Sequence, residues 1–250
     1  MRQYQYPIFN SVVLAITLVV NYWSNTGFFN DRTIADVSSK YNNLLTPAGY
    51  AFSIWGIIYL SLIALVIYQW IVARKRPVPV QKVGALLIIA NFLNSIWVVV
   101  WLYDYLAVSV LVMIGLLVTL TRLNTRLAHW DTQVKSDLFL VHFPISLYQG
   151  WIIVALVANF SAFFKSTGFN FLLTPELWAI LVLVIAMAVY VFQTNQLNQV
   201  VSTLVGVWGI SAIGVKQLGE AQGVSLTAFI VAGILLIYVL VTPLRKLLTN

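Results

Sequence analysis

The sequence predicts an all-α integral membrane protein, a polytopic bundle of about eight transmembrane helices, and three observations carry that reading. Hydrophobic residues fill 61% of the 250 positions and charged residues only 8%, against about a quarter in soluble domains. The mean hydropathy is +0.91. The apolar residues fall in runs close to the roughly 20 needed to cross a bilayer as a helix, and nearly every charge lies between runs, unlike the weak alternation of a β-barrel.

The first run, about residues 7–24, follows Arg2 and ends in Asn21, Tyr22, Trp23 and Ser24. No small-x-small cleavage pattern follows, so it reads as an uncleaved first helix. Residues 25–47, "NTGFFNDRTIADVSSKYNNLLTP", form the longest connection, polar and bounded by Gly27 and Pro47. Connections of this length are commonly functional, which suggests a lid over one mouth of the bundle. Further spans follow at about 48–73, 83–103, 105–123, 138–164, 176–194, 198–215 and 225–243. The seventh is the least apolar, but Ser202, Gly206, Gly209, Ser211 and Gly214 let helix backbones approach closely. No Pro-, Ser- or Gly-rich linker divides the chain, so a single membrane domain is expected.

With a cytoplasmic N-terminus, the inner segments hold Arg2, Arg74, Lys75, Arg76, Lys82, Arg122, Arg126, Lys135, Arg245 and Lys246, ten of the 14 basic residues. The positive-inside rule then predicts both termini inside, in the plasma or inner membrane. Asp31, Asp36, Asp104, Glu176 and Glu220 fall outside, and Asp131 and Asp137 inside. The net charge of +7 thus reflects topology, and "RKRPVPVQK" is a short turn beside the membrane instead of a nucleic-acid patch.

Three helices repeat one device. Phe52, Trp55, Tyr59 and Ile63 recur at three- and four-residue spacing and line one face, with Gly56 alongside. In "NFLNSIWVVVW", Asn91, Asn94, Trp97 and Trp101 share a face; in "FPISLYQGWIIVALVAN", Tyr148, Trp151, Ala155 and Asn159 do. At about 1.5 Å rise per residue, Trp55, Trp97, Trp151 and Ala155 lie roughly 10 to 20 Å below the outer ends of their helices. The stripes therefore reach similar depths and suit a cavity in the outer half of the membrane, with glycines admitting close backbone approach. Tyr22, Trp23, Trp70, Tyr103, Tyr105, Trp130 and Trp178 read as interfacial belt residues, and Trp101 stands close enough to a helix end to join them.

The chain has no cysteine, which excludes thiolate metal sites and cysteine catalysis. His129 and His142 are the only histidines, and no H-E-x-x-H or nucleophile-elbow pattern occurs, so no metal, cofactor or catalytic residue is expected. His142, alone in "VHFP", stands where a hydrogen-bonded residue is commoner than an axial haem ligand.

These residues resemble the translocator protein or tryptophan-rich sensory protein (TspO/MBR) family. "PAGYAFSIWGIIY" supplies Pro47, Gly49, Tyr50, Phe52, Trp55 and Tyr59 of its second-helix pattern; Asn94 and Trp97 match its third; Pro144, Trp151, Ala155 and Asn159 match its fifth. The resemblance covers about residues 5–165. The second-helix motif is one residue shorter before Trp55, and Pro144 stands farther from Trp151 than in the family pattern. The resemblance implies a five-helix unit over 1–165, with outer loop 25–47, and three additional helices over 166–250 packed on the same domain. It also implies a sensor or binding protein holding a hydrophobic planar ligand, a porphyrin or other tetrapyrrole or a sterol-like molecule, and a homodimer as partner state. The expected ligand-binding residues are Tyr50, Phe52, Trp55, Tyr59, Asn94, Trp97, Tyr148, Trp151, Ala155 and Asn159. The alternative reading is a secondary transporter or channel for a small molecule, for which eight spans suffice, although no charge is expected in mid-membrane.

Overall fold

The computed structural model describes residues 4–168 and 173–249, with side chains to residue 242. Arg2 lies outside the described residues, as do the side chains of Arg245 and Lys246. The described residues form helices and connections without strands. Seven helical stretches are long and apolar enough to cross a membrane: α1 (Gln5–Trp23), the stretch Gly49–Val72, α4 (Val78–Leu102), α5 (Leu106–Ala128), α6 (Lys135–Thr167), α7 (Pro175–Leu197) and α9 (Gln222–Thr249). Where the least apolar span was expected, α8 (Val200–Lys216) is a shorter apolar helix, below the length of the seven. A seven-residue helix, α2 (Ile34–Lys40), lies inside the first long connection. The stretch beginning at Gly49 is a 3-10 turn to Ser53 that continues as α3 (Ile54–Val72).

The chain folds into two compact units: Met1–Lys40 with Ile54–Gln149, and Tyr41–Ser53 with Gly150–Asn250. In the first unit α4 packs against α1, α2, α3 and α5. Its core includes Ile58, Leu62, Leu65, Leu87, Met113, Leu116 and Leu120, all fully buried, whereas Leu60 and Leu111 face outward to lipid. A polar stripe runs along α1: Asn10 Nδ2 donates to Gln69 Oε1 (3.0 Å), Thr17 Oγ1 to the Asn91 carbonyl (3.0 Å) and Asn21 Nδ2 to Asn94 Oδ1 (2.9 Å). With no water in the bilayer core, each amide needs such a partner.

Two local irregularities shape this unit. Gly84 interrupts α4 with φ 53° and ψ −145°, a conformation that favours a residue without Cβ. The kink sets off residues 78–83, nearly two turns at the start of α4, which the apolar run alone did not predict. Residues Leu138–His142 of α6 form a π-helical turn. Beside it Asp137, expected in an inner loop, is fully buried. It accepts hydrogen bonds from Tyr68 OH (2.6 Å), Thr132 Oγ1 (2.7 Å) and Arg76 Nη2 (2.8 Å), so a charge enters the protein interior only with three donors around it.

In the second unit α8 packs on α7, α9 and the 3-10 turn, and α9 on α7. The small residues of α8 act as expected. A Cβ at Gly206 would lie 2.6 Å from the Tyr190 ring, whose hydroxyl donates to the Gly150 carbonyl (2.7 Å), and a Cβ at Gly209 would lie 2.6 Å from Val154. Ser202, Ala228 and Ala232 are buried within the chain itself.

The candidate functional site

The ring-bearing faces begin with the start of α3. Pro47 and the 3-10 turn precede a helix whose three- and four-residue spacing projects Trp55 and Tyr59 the same way. Within the first unit the two rings stack at 5.3 Å and 17°, and Tyr148 of α6 meets Trp55 edge-on at 6.0 Å and 68°. Offset stacks and T-shaped contacts of this kind are the favoured aromatic geometries. Three of the ten expected residues thus form one cluster.

Asn94 of α4 joins it. Its side chain is fully buried beside the Tyr148 hydroxyl, without the geometry of a direct hydrogen bond, and the Tyr59 and Tyr148 hydroxyls are near enough to interact. Asn21 occupies Asn94 Oδ1, which leaves Asn94 Nδ2 to donate elsewhere. Among the described residues, Tyr59 OH, Tyr148 OH and Asn94 Nδ2 are all buried without a hydrogen-bond partner, as are both side-chain amide atoms of Asn91. Buried polar atoms are normally paired, so such a group calls for a water or a ligand.

Trp97, one turn beyond Asn94, stacks on Trp101 at 5.8 Å and 24°. Trp101 is only 5% exposed and its Nε1 reaches the Ile34 carbonyl at 3.4 Å. It therefore belongs to the interior, not the interfacial belt; depth along the helix misplaced it because the long connection covers that end. Asn30 Nδ2 donates to the Leu102 carbonyl (3.1 Å), and Arg32 and Lys40 both pair with Asp104, the latter at 2.6 Å. Burial acts to raise the pKa of Asp104, but the hydrogen bonds from Lys40 and Arg32 outweigh it and hold the carboxyl below its usual value. The connection through α2 is thus pinned over the α4–α5 turn.

The other five expected residues lie in the second unit. Phe52 meets Trp151 edge-on at 5.7 Å and 82°, with Trp151 buried. Tyr50, 47% exposed, turns its ring against Trp208 of α8 (5.2 Å, 75°), whose Nε1 donates to the Ala51 carbonyl at 3.3 Å. Ala155 is half-buried and Asn159 buried. Gly49 and Gly56 have open space where a Cβ would stand, whereas a Cβ at Gly150 would meet the Ser202 backbone and one at Gly206 or Gly209 the Tyr190 or Val154 side chain.

Sequence reasoning missed Asn21 and Trp208. The polar positions Asn10, Thr17 and Asn21, seven and then four apart, were the available signal for the first. For Trp208 there was none, because its contact joins segments 157 residues apart. Two recesses in the second unit, of about 430 and 900 Å³, are lined by none of the ten residues. Among the described residues no group of three or more histidine, aspartate and glutamate side chains is placed to hold a metal.

A family model described as TSPO-like protein matches residues 7–241. It continues past residue 165, where the motif resemblance ends, through the C-terminal helices. No curated protein and no solved structure matches the chain. With helices that cross the membrane several times and a family match over nearly all its length, the chain belongs to the TSPO-like protein family.

Proposed function

We propose that this protein is a membrane sensor or binding protein for a hydrophobic planar ligand, a porphyrin or other tetrapyrrole or a sterol-like molecule. One observation carries the reading: the stacked Trp55 and Tyr59 and the edge-on Tyr148 surround buried hydroxyl and amide groups that make no direct hydrogen bond among the described residues. Rings give a planar ligand broad apolar contact, while a few polar groups fix its orientation. In this reading Trp55, Tyr59, Tyr148 and Trp97 are ring walls, and Asn94, oriented by Asn21, donates through Nδ2. The positive-inside distribution of charge supports a position for this cluster in the outer half of the plasma or inner membrane, with both termini cytoplasmic. Phe52 with Trp151, and Tyr50 with Ala155 and Asn159, are a second candidate ring wall in their own unit.

Titrating the detergent-purified protein with protoporphyrin IX, and following quenching of tryptophan fluorescence, tests this. The expected result is saturable quenching, with affinity at least about tenfold weaker in Trp55→Leu, the loss of a desolvated ring contact of about 1.4 kcal/mol. A parallel loss in Trp151→Leu assigns the Phe52–Trp151 pair to the site as well. Unsaturable quenching, or wild-type affinity in both variants, contradicts the proposal.

A further inference from the structure

The recess of about 430 Å³ in the second unit lies where the last turn of α6 meets the start of α7. Its size is within the roughly 300 to 1,000 Å³ of small-molecule sites. Its walls are mainly apolar: Leu44, Leu45, Phe164, Leu173 and Trp178, with Phe164 edge-on to Trp178 at 6.2 Å and 81°. One wall is preformed. Asn43 Oδ1 accepts from Leu45 N (2.9 Å), Thr46 N donates to the Asn43 carbonyl (3.1 Å) and Thr46 Oγ1 accepts from Asn43 N (3.2 Å), a closed turn that holds Leu44 and Leu45 in place.

A cation stands at its edge. Lys165 lines this recess and also the adjoining polar one of about 900 Å³, and it is the only cationic residue that lines both. Lys165 makes no ion pair among the described residues. The polar recess adds Lys216, Glu176 and Glu220. An apolar chamber opening past a lysine into a charged vestibule, at the ends of membrane-length helices, matches one chemistry. The bilayer concentrates molecules with an apolar tail and a charged head, and helix-end lysines sit at the level of such heads.

We infer that this recess binds an amphipathic anion, its acyl or similarly apolar body between Trp178, Phe164 and Leu45 and its carboxylate or phosphate on Lys165. None of the lining residues is among the ten expected for the planar ligand, so this site stands or falls independently of that proposal.

The probe is cis-parinaric acid, titrated into the full-length detergent-purified protein and read by its own fluorescence. Saturable binding is expected, at least about tenfold weaker in Lys165→Gln because a charge-assisted contact is lost, and restored in Lys165→Arg. Ser161→Phe, which fills the chamber from α6, is expected to abolish binding, and its thermal unfolding midpoint controls for folding. The methyl ester of the probe is expected to bind at least about tenfold more weakly than the acid. Displacement of the probe by phosphatidylglycerol but not oleate identifies a lipid phosphate as the source of the anion; displacement by oleate identifies a free carboxylate. Wild-type affinity in Lys165→Gln, equal binding of acid and ester, or unsaturable uptake overturns the inference.

Discussion

At the scale of single residues, the candidate site depends on which polar atoms are spent and which are not. Asn21 holds Asn94 Oδ1, and among the described residues no direct hydrogen bond takes Asn94 Nδ2, Tyr59 OH or Tyr148 OH. Asn21→Leu therefore strands a second atom of Asn94 in a buried setting. The expected result is a stability loss of about 1 kcal/mol, typical of an interhelical hydrogen bond in a membrane, seen as a lower unfolding midpoint in detergent. Protoporphyrin affinity should fall with it, since Asn94 loses the contact that orients it; unchanged affinity would remove Asn94 from the site. The ring stripes were legible because aromatic residues at three- and four-residue spacing must share a helix face. Asn21 was less so: one amide near a helix end resembles any interfacial asparagine until its partner 73 residues away is known. Asp137 was misread for a similar reason, because its three donors come from α3 and from two loops.

At the scale of elements, the first connection and the small residues of α8 make opposite demands. Asp104, in the left-handed region at φ 62° between α4 and α5, anchors Arg32 just before α2 and Lys40 at its last position. Because its pKa is lowered from 3.8, the stabilisation is fully present above that value and is lost as pH falls through the lower folded value. Amide exchange of residues 25–40, corrected for intrinsic rate, should stay slow from neutral pH down to the mid-acid range and accelerate only below 3.8. Release at about pH 6, near the ordinary histidine range, would mean that another group holds the connection. In α8, Gly206→Ala should destabilise by about 1 to 3 kcal/mol, because its Cβ meets a Tyr190 ring fixed by the bond to Gly150. Gly56→Ala, with open space around it and a helical backbone, should be neutral or stabilising by up to about 1 kcal/mol. Equal midpoints for the two variants would contradict the packing. The apolar runs foretold the long helices, but not the Gly84 kink or the π-helical turn, which depend on contacts that hydropathy does not encode.

At the scale of the whole molecule, charge distribution predicts topology, and the absence of native cysteine gives a clean assay. An impermeant maleimide should label Thr26→Cys in intact cells and Lys75→Cys only after lysis, both positions being exposed. The reverse pattern would invert the chain. In the proposed reading, stability and binding are linked through the same buried atoms: a hydroxyl left unpaired costs folding free energy, and a ligand that satisfies it returns that energy by mass action. Tyr148 separates the two roles, since its hydroxyl lies beside Asn94 but makes no direct hydrogen bond among the described residues. The most direct test measures Tyr148→Phe twice, by its unfolding midpoint without ligand and by its affinity for protoporphyrin IX. An unchanged or raised midpoint with affinity down at least about tenfold is the predicted result. A lowered midpoint with wild-type affinity would make Tyr148 a packing residue and contradict a ligand site among these rings.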